Sequence, residues 1–331
     1  MEPDPTILVT IPEGALRESF FPPELRERLE GIGEIEWASE ELTEVDLRER
    51  VEGVDVCVTG WGSPQVTSEV VERADSLELI AHTGGSVATI ASPAAYDAGI
   101  RVVSANDPIA EFVAEHVLGT MLAARRRLPE FDRAMKEGKG TDSIPVESLI
   151  GAEIGLVGLG SIGRHLLAHL RSFDVSVTIY EPYLAEDALA EYGFAERTDL
   201  ETVLSGSDVV SIHASRTPET VGMLDSERLA TLDDDTLLVN TARAELVVEE
   251  ALLAELRSGR ISAALDVFHE EPLPADHELR GMENVLLTPH VGGSWIRPPL
   301  TEAVLDDAEN YLAGDPLAHE IPREQWELMT R

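Results

Sequence analysis

The segment Gly158-Leu159-Gly160-Ser161-Ile162-Gly163 constrains this chain more than any other. A GxGxxG pattern alone is weak evidence. Here it follows the apolar run Ile154–Val157 and opens a helical pattern over Ile162–Phe173, and strand, glycine turn and helix together are the setting in which the pattern binds a dinucleotide. Gly158 would make the tight turn, Gly160 would let the backbone approach a pyrophosphate, and Gly163 would allow close helix–strand packing. Ser161 and Ile162 stand at the helix N-terminus, where unpaired N–H groups and the helix dipole favour phosphate. The next expected strand, Ser176–Tyr180, runs into Glu181, at about the distance where an acidic side chain grips the ribose hydroxyls. A carboxylate there repels a 2′-phosphate, so NAD(H) is expected over its phosphorylated counterpart.

Strands and helices alternate on both sides of that turn. Before it, strands are expected at Thr6–Thr10, Ile35–Trp37, Val54–Thr59, Leu77–His82 and Arg101–Ser104. Helical patterns lie between them, at Pro23–Leu29 and at Glu44–Val51 with Thr43 as N-cap. After it, strands are expected near Ile154–Val157, Ser176–Tyr180, Asp208–His213, Thr236–Asn240, Ser262–Val267 and Val285–Thr288. This alternation implies α/β architecture with mostly parallel sheets covered on both faces, and 331 residues suit two such domains. Between the series, Asn106-Asp107-Pro108 reads as an N-cap with proline at the first helical position, and helical spacing continues to about Leu128. That helix is apolar on more than one side, as suits one lying between domains or subunits. Lys136–Val146 reads as a polar loop, Arg297-Pro298-Pro299 as a break, and Thr301–Leu312 as a last helix.

Composition removes several function classes. The chain carries 63 acidic and 25 basic side chains, a formal charge of −38, which gives no footprint for nucleic acid or an anionic membrane. Lysine occurs only at Lys136 and Lys139, and acid excess with lysine depletion is what a salt-rich, screened cytoplasm favours. No apolar run is long enough to span a bilayer, and Met1-Glu2-Pro3-Asp4-Pro5 lacks the basic start of a signal peptide, so a cytoplasmic protein is expected. A single cysteine, Cys57, excludes an internal disulfide and a cysteine cluster. His165 and His169 share a helix face but no third ligand is evident, so no metal is expected.

Three later segments carry the chemistry: Asn240-Thr241-Ala242-Arg243, then Leu265-Asp266-Val267-Phe268-His269-Glu270-Glu271-Pro272, then Thr288-Pro289-His290-Val291-Gly292-Gly293. With His213-Ala214-Ser215-Arg216-Thr217-Pro218-Glu219-Thr220 they stand in the order and spacing of the D-isomer-specific 2-hydroxyacid dehydrogenase family, and the chain resembles that family over nearly its whole length. The resemblance implies Arg243, Glu271 and His290 as the catalytic trio. Elementary chemistry wants the same types: a guanidinium fork for a keto acid's carboxylate and carbonyl, and a histidine held by a carboxylate to give and take the proton. Glu270 competes with Glu271, and the family's pattern of a glutamate before proline selects Glu271. The resemblance further implies that His213, Ala214, Thr241, Ala242, Asp266, Gly292 and Gly293 line the cofactor, with Asp266 facing the nicotinamide carboxamide or merely capping a turn. Gly84, Gly85 and Ser86 would bind the substrate carboxylate through backbone N–H groups, beside Arg243 and His290. Several relatives carry arginine where His82 stands, and Trp61 and Trp295 are pocket wall or ordinary packing.

The family layout implies two Rossmann-like doubly wound parallel-sheet domains with a cleft between them: a discontinuous substrate domain, 1–105 plus 297–331, and an NAD-binding domain, 106–296. It also implies a homodimer through the NAD domain, and a chain that stops soon after the Thr301–Leu312 helix is expected to carry no appended regulatory domain. The activity expected is hydride transfer between nicotinamide C4 and C2 of a small 2-keto or 2-hydroxy acid, with glyoxylate and hydroxypyruvate as first candidates. Two other readings fit the same residues: an NAD-sensing, corepressor-like binding protein, and a phosphite-type dehydrogenase on the same fold.

Overall fold

The structure is a computed structural model that describes residues 4–142, 144–184, 188–293 and 295–329. The chain divides into two compact units, Met1–Ile109 with Trp295–Arg331, and Ala110–Ser294.

The first unit is built on five parallel strands: β1 (Thr6–Val9), β2 (Glu34–Trp37), β3 (Val56–Thr59), β4 (Leu79–His82) and β5 (Arg101–Ser104). Their order across the sheet is β2-β1-β3-β4-β5. The inner strands are unbroken apolar runs because helices cover both faces: Ile7, Leu8, Val9, Val56, Cys57, Val58, Leu79, Ile80 and Ala81 are shut off from solvent. Burial pushes the Cys57 thiol up to about 12, so it packs as a small apolar side chain. The edge strand β2 alternates instead, with Glu34 and Glu36 turned outward. Thr43 caps the Glu44–Arg50 helix by accepting the Asp46 N–H, while Asp46 accepts the Thr43 N–H in return. The loops that leave the C-terminal ends of β3 and β4 carry Trp61 and Gly84–Ser86, the end of a parallel sheet where ligands bind.

The second unit holds seven parallel strands: β6 (Glu153–Val157), β7 (Ser176–Tyr180), β8 (Ala195–Arg197), β9 (Val209–Ile212), β10 (Leu237–Asn240), β11 (Ser262–Leu265) and β12 (Val285–Leu287). Their order is β12-β11-β10-β9-β6-β7-β8. The chain starts in the middle at β6, builds outward through β7 and β8, then returns to β9 on the other side. The fingerprint turn leaves β6 at that reversal, the topological switch point where doubly wound sheets bind ligands.

Three elements differ from the sequence reading. The long helix runs Asn106–Arg125 and stops short of Leu128; Arg127 turns left-handed at φ 52°, and a second helix follows at Leu128–Lys136. Pro129 explains the break. Its ring would clash with the Arg125 carbonyl in a continuous helix, whereas in the first turn of a new one its missing N–H costs nothing. That helix also takes up the start of the segment read as a loop from Lys136. The edge strand β8 is the second difference, because Ala-Glu-Arg is too short and too polar to show a strand period. The last long helix begins at Pro298, since proline is tolerated at the first helical positions. Among the described residues no helix is long and apolar enough to cross a membrane.

Candidate active site

The fingerprint glycines of the second unit occupy three different situations. Gly158 has φ +96°, and a Cβ there would stand 2.6 Å from the Ala214 nitrogen and 2.7 Å from the His213 carbonyl carbon. Only glycine fits. A Cβ on Gly160 would meet nothing within 4 Å, so the backbone is open to an approaching group. A Cβ on Gly163 would press on the Gly158 carbonyl oxygen at 3.2 Å, where helix and turn pack closely. The Ser161–Leu170 helix has no side-chain cap, which leaves its first N–H groups available to an anion. The Glu181 carboxylate reaches back to the turn, accepting the Leu159 N–H at 3.2 Å through one oxygen and the Tyr183 N–H at 3.2 Å through the other.

Two polar atoms just past the ends of β9 and β10 are orphans. The Thr241 hydroxyl and His213 Nδ1 are shut off from solvent with no hydrogen-bond partner. The other His213 nitrogen meets the Ser211 hydroxyl at 2.9 Å, and burial pushes the ring down to about 4, so it stays neutral. Buried polar groups rarely go unpaired. An open Gly160, an uncapped helix start and two orphaned polar atoms fit a dinucleotide laid along the strand ends.

Arg243, Glu271 and His290, the trio expected from the sequence, follow β10, β11 and β12. His290 Nδ1 meets Glu271 Oε2 at 2.7 Å, and the other Glu271 oxygen accepts the Phe268 N–H at 3.0 Å. It is thus Glu271 whose carboxylate faces the His290 ring. Both side chains keep substantial exposure. His290 holds φ 53°, an uncommon conformation for a residue with a Cβ. Asp266 explains how it is held. This carboxylate is 2% exposed; one oxygen accepts the Thr288 hydroxyl at 2.6 Å and the Val291 N–H at 2.9 Å, and the other accepts the Gly292 N–H at 2.9 Å. It clamps the loop on both sides of His290, and Gly292 and Gly293 make the turn that follows.

Arg243 follows β10 in extended conformation, its guanidinium donating to the Ala242 carbonyl at 2.7 Å. Asn240 shapes this turn by donating to the Arg243 carbonyl at 2.9 Å and accepting the Ala242 N–H at 3.1 Å. Burial lowers the Arg243 pKa from its usual value, while the charges of Glu245 and Glu271 work the other way. A guanidinium keeps its proton under such pressure, so the site holds a partly desolvated cation that favours an anionic ligand.

Two contributors escaped the sequence reading. His116 lies within the long helix, and its Nε2 meets the Thr288 hydroxyl at 3.1 Å and lies 3.7 Å from Asp266. Its only signal is one imidazole in an apolar stripe. Thr288 itself links His116 to Asp266. Among the described residues no group of three His, Cys, Asp or Glu side chains could hold a metal ion.

In the first unit, Gly84 is pinned between side chains: a Cβ there would stand 2.4 Å from His82 Nε2 and 3.0 Å from Trp61 Nε1. His82 is 2% exposed, its Nδ1 meets the Thr59 hydroxyl at 3.0 Å, and burial pushes it down to about 3. Gly85 lies near Asn106 and Ile109, and the Ser86 hydroxyl accepts the Ala88 N–H at 3.4 Å. Trp61 packs against Phe20 at 5.2 Å between ring centroids, and Trp295 is largely exposed.

Residues 118–292 match the family model described as D-isomer specific 2-hydroxyacid dehydrogenase, NAD binding domain. The chain belongs to the D-isomer specific 2-hydroxyacid dehydrogenase family. NAD(H) is accordingly the dinucleotide that the second unit is built to hold. The hydroxypyruvate reductase of Thermotoga maritima is 34% identical over 266 residues, 79% of this chain and 85% of that protein. The D-3-phosphoglycerate dehydrogenase of Methanocaldococcus jannaschii is 35% identical over 268 residues, 80% of this chain but 51% of that protein. The chain thus spans about half the length of the curated relatives it matches first. The solved structure of the TT0316 protein from Thermus thermophilus has TM-score 0.76 and 31% identity, and the match covers 96% of this chain and 100% of that one.

Proposed function

We propose that this chain is a cytoplasmic NAD(H)-dependent D-2-hydroxyacid dehydrogenase acting on a small 2-keto or 2-hydroxy acid. The observation that carries the reading is the His290–Glu271 pair, 2.7 Å apart and clamped by Asp266, beside the partly buried Arg243. When bound, the nicotinamide supplies or accepts the hydride. Arg243 holds the substrate's carboxylate and carbonyl through its planar fork, fixing C2 for attack. In the reductive direction His290 gives its proton to the carbonyl oxygen as negative charge develops there, and in the oxidative direction it takes the hydroxyl proton. Glu271 accepts a hydrogen bond from Nδ1–H, which fixes the ring and leaves Nε2 as the nitrogen that exchanges a proton with substrate. In the first unit, the Gly84-Gly85-Ser86 loop is the segment we assign to carboxylate binding through backbone N–H groups. Thr241, Ala242, His213, Ala214 and the fingerprint turn are assigned to the cofactor, with Glu181 selecting the unphosphorylated ribose.

The second unit also exposes Leu128, Met135 and Ile150, side chains that a homodimer of this unit would cover. The acid excess fits an enzyme working in concentrated salt. Arg243→Ala and His290→Ala test the assignment. Each should lose at least a thousandfold in kcat/KM with NADH binding kept within a few-fold. Retained turnover in both would refute the assignment, and an NAD-sensing protein would show binding with no turnover in any form.

A further inference from the structure

Among the described residues, Arg297 of the first unit meets no acid, in a chain with 63 acids for 25 bases. Arg28, Arg101 and Arg323 of the same unit each meet a carboxylate. Arg297 instead donates one Nη to the Ser19 hydroxyl at 2.7 Å, and its Nε is shut off from solvent with no partner. Its Cζ lies 5.4 Å from the Phe20 ring, 5.6 Å from Trp61 and 5.7 Å from Trp295. Ring faces attract a guanidinium, but they cannot accept the in-plane N–H bonds of the fork. The outer edge of the fork, Nη1 with Nη2, is not shut off in this way, and an oxyanion meeting it there would take two parallel N–H bonds.

The location gives that edge a use. The Trp61 ring that packs on Arg297 also abuts the substrate-carboxylate loop at Gly84, through its Nε1. His82, the last residue of β4 before this loop, is buried and neutral and supplies no charge. Trp61 thus meets both this loop and a cation that no carboxylate among the described residues neutralises.

We propose that Arg297 is a specificity determinant that binds a second oxyanion, carboxylate or phosphate, at the far end of a 2-keto or 2-hydroxy acid whose first carboxylate rests on the Gly84–Ser86 loop. The inference rests on the dehydrogenase reading above. The Trp61 face then flanks the carbon chain that joins the two anionic ends, and selectivity comes from pairing the distal charge and not from the reacting carbon.

The test compares kcat/KM with NADH for glyoxylate and hydroxypyruvate, which carry one anionic group, against oxaloacetate and 3-phosphohydroxypyruvate, which carry two. Wild-type protein should favour one of the two doubly anionic substrates over hydroxypyruvate, and which one it favours separates carboxylate from phosphate. Arg297→Met should lower that ratio about 10- to 100-fold, the range of a charge-assisted hydrogen bond, mainly through KM. Arg297→Lys, which keeps the charge and loses the fork, should fall between. NADH binding in both variants checks the fold. A ratio unmoved in both variants, or a wild type that prefers an apolar 2-keto acid such as 4-methyl-2-oxopentanoate, overturns the proposal while leaving the dehydrogenase reading intact. A wild type that reduces no 2-keto acid overturns both.

Discussion

Asp266→Asn is an isosteric change with a large expected cost. The wild-type carboxylate accepts three hydrogen bonds, from Thr288 Oγ1, Val291 N and Gly292 N, at 2.6, 2.9 and 2.9 Å. An asparagine that keeps its oxygen toward Thr288 and Val291 must point its NH2 at the Gly292 N–H. One charge-assisted bond is then lost outright, worth about 1.5–3 kcal/mol, and two others fall to neutral strength, at about 1 kcal/mol each. The total is roughly 3.5–5 kcal/mol, with no cavity term because the volume is unchanged. The site suffers as well. His290 holds φ 53°, a strained conformation that persists only where its surroundings impose it, and the clamp is what imposes it. Release lets His290 relax to negative φ and leave Glu271. Urea unfolding with kcat measured on the same samples checks both parts: a stability loss of the stated size, and kcat down at least a hundredfold at saturating substrate. An Asp266→Asn protein within about 1 kcal/mol of wild type and with unchanged kcat would refute the clamp.

The fingerprint and the buried imidazole give three further expectations. Gly158→Ala places a Cβ 2.6 Å from the backbone of Ala214 at φ +96°, so NADH affinity measured by fluorescence should fall at least tenfold; unchanged affinity would contradict the tight turn. Glu181→Gln removes the charge that repels a 2′-phosphate and should raise the NADPH/NADH ratio of kcat/KM several-fold; an unmoved ratio would take Glu181 out of cofactor selection. His82 has its folded pKa depressed from 6.5 to about 3, so below pH 6.5 the unfolded chain binds the extra proton and the stabilising contribution shrinks as pH falls. The stability advantage of wild type over His82→Gln should therefore narrow by about 1.4 kcal/mol per pH unit between about pH 6 and pH 4, as read by urea midpoints. A difference independent of pH would show that His82 is not buried as a neutral ring.

Most strands were legible because parallel sheets covered on both faces demand unbroken apolar runs, as in Val56-Cys57-Val58 and Leu237-Leu238-Val239. Where that demand lapses the pattern lapses too, which is why Ala195–Arg197 at a sheet edge gave no signal. The helix break at Arg127 was hidden by apolar spacing that continues through Leu128, although Pro129 carried the information. The glycine turn is a local device and could be read locally. The clamp on His290 is not local: Asp266 reaches Thr288, Val291 and Gly292, 22 to 26 residues on, and His116 meets Thr288 across 172 residues. Spacing alone left Glu270 and Glu271 open; the family resemblance selects Glu271, and the fold places that carboxylate against the His290 ring. Arg297 was invisible for a related reason, since an arginine's lack of an acidic partner is a property of three dimensions.

The central claim is that His290 and Glu271 serve hydride transfer to a 2-keto acid. The most direct measurement is loss of NADH absorbance against a panel of 2-keto acids, in concentrated KCl and in dilute buffer. The account predicts turnover of at least one of them, with NADH far better than NADPH, abolished in His290→Ala. Tight NADH binding with no turnover of any 2-keto acid in either buffer would contradict it.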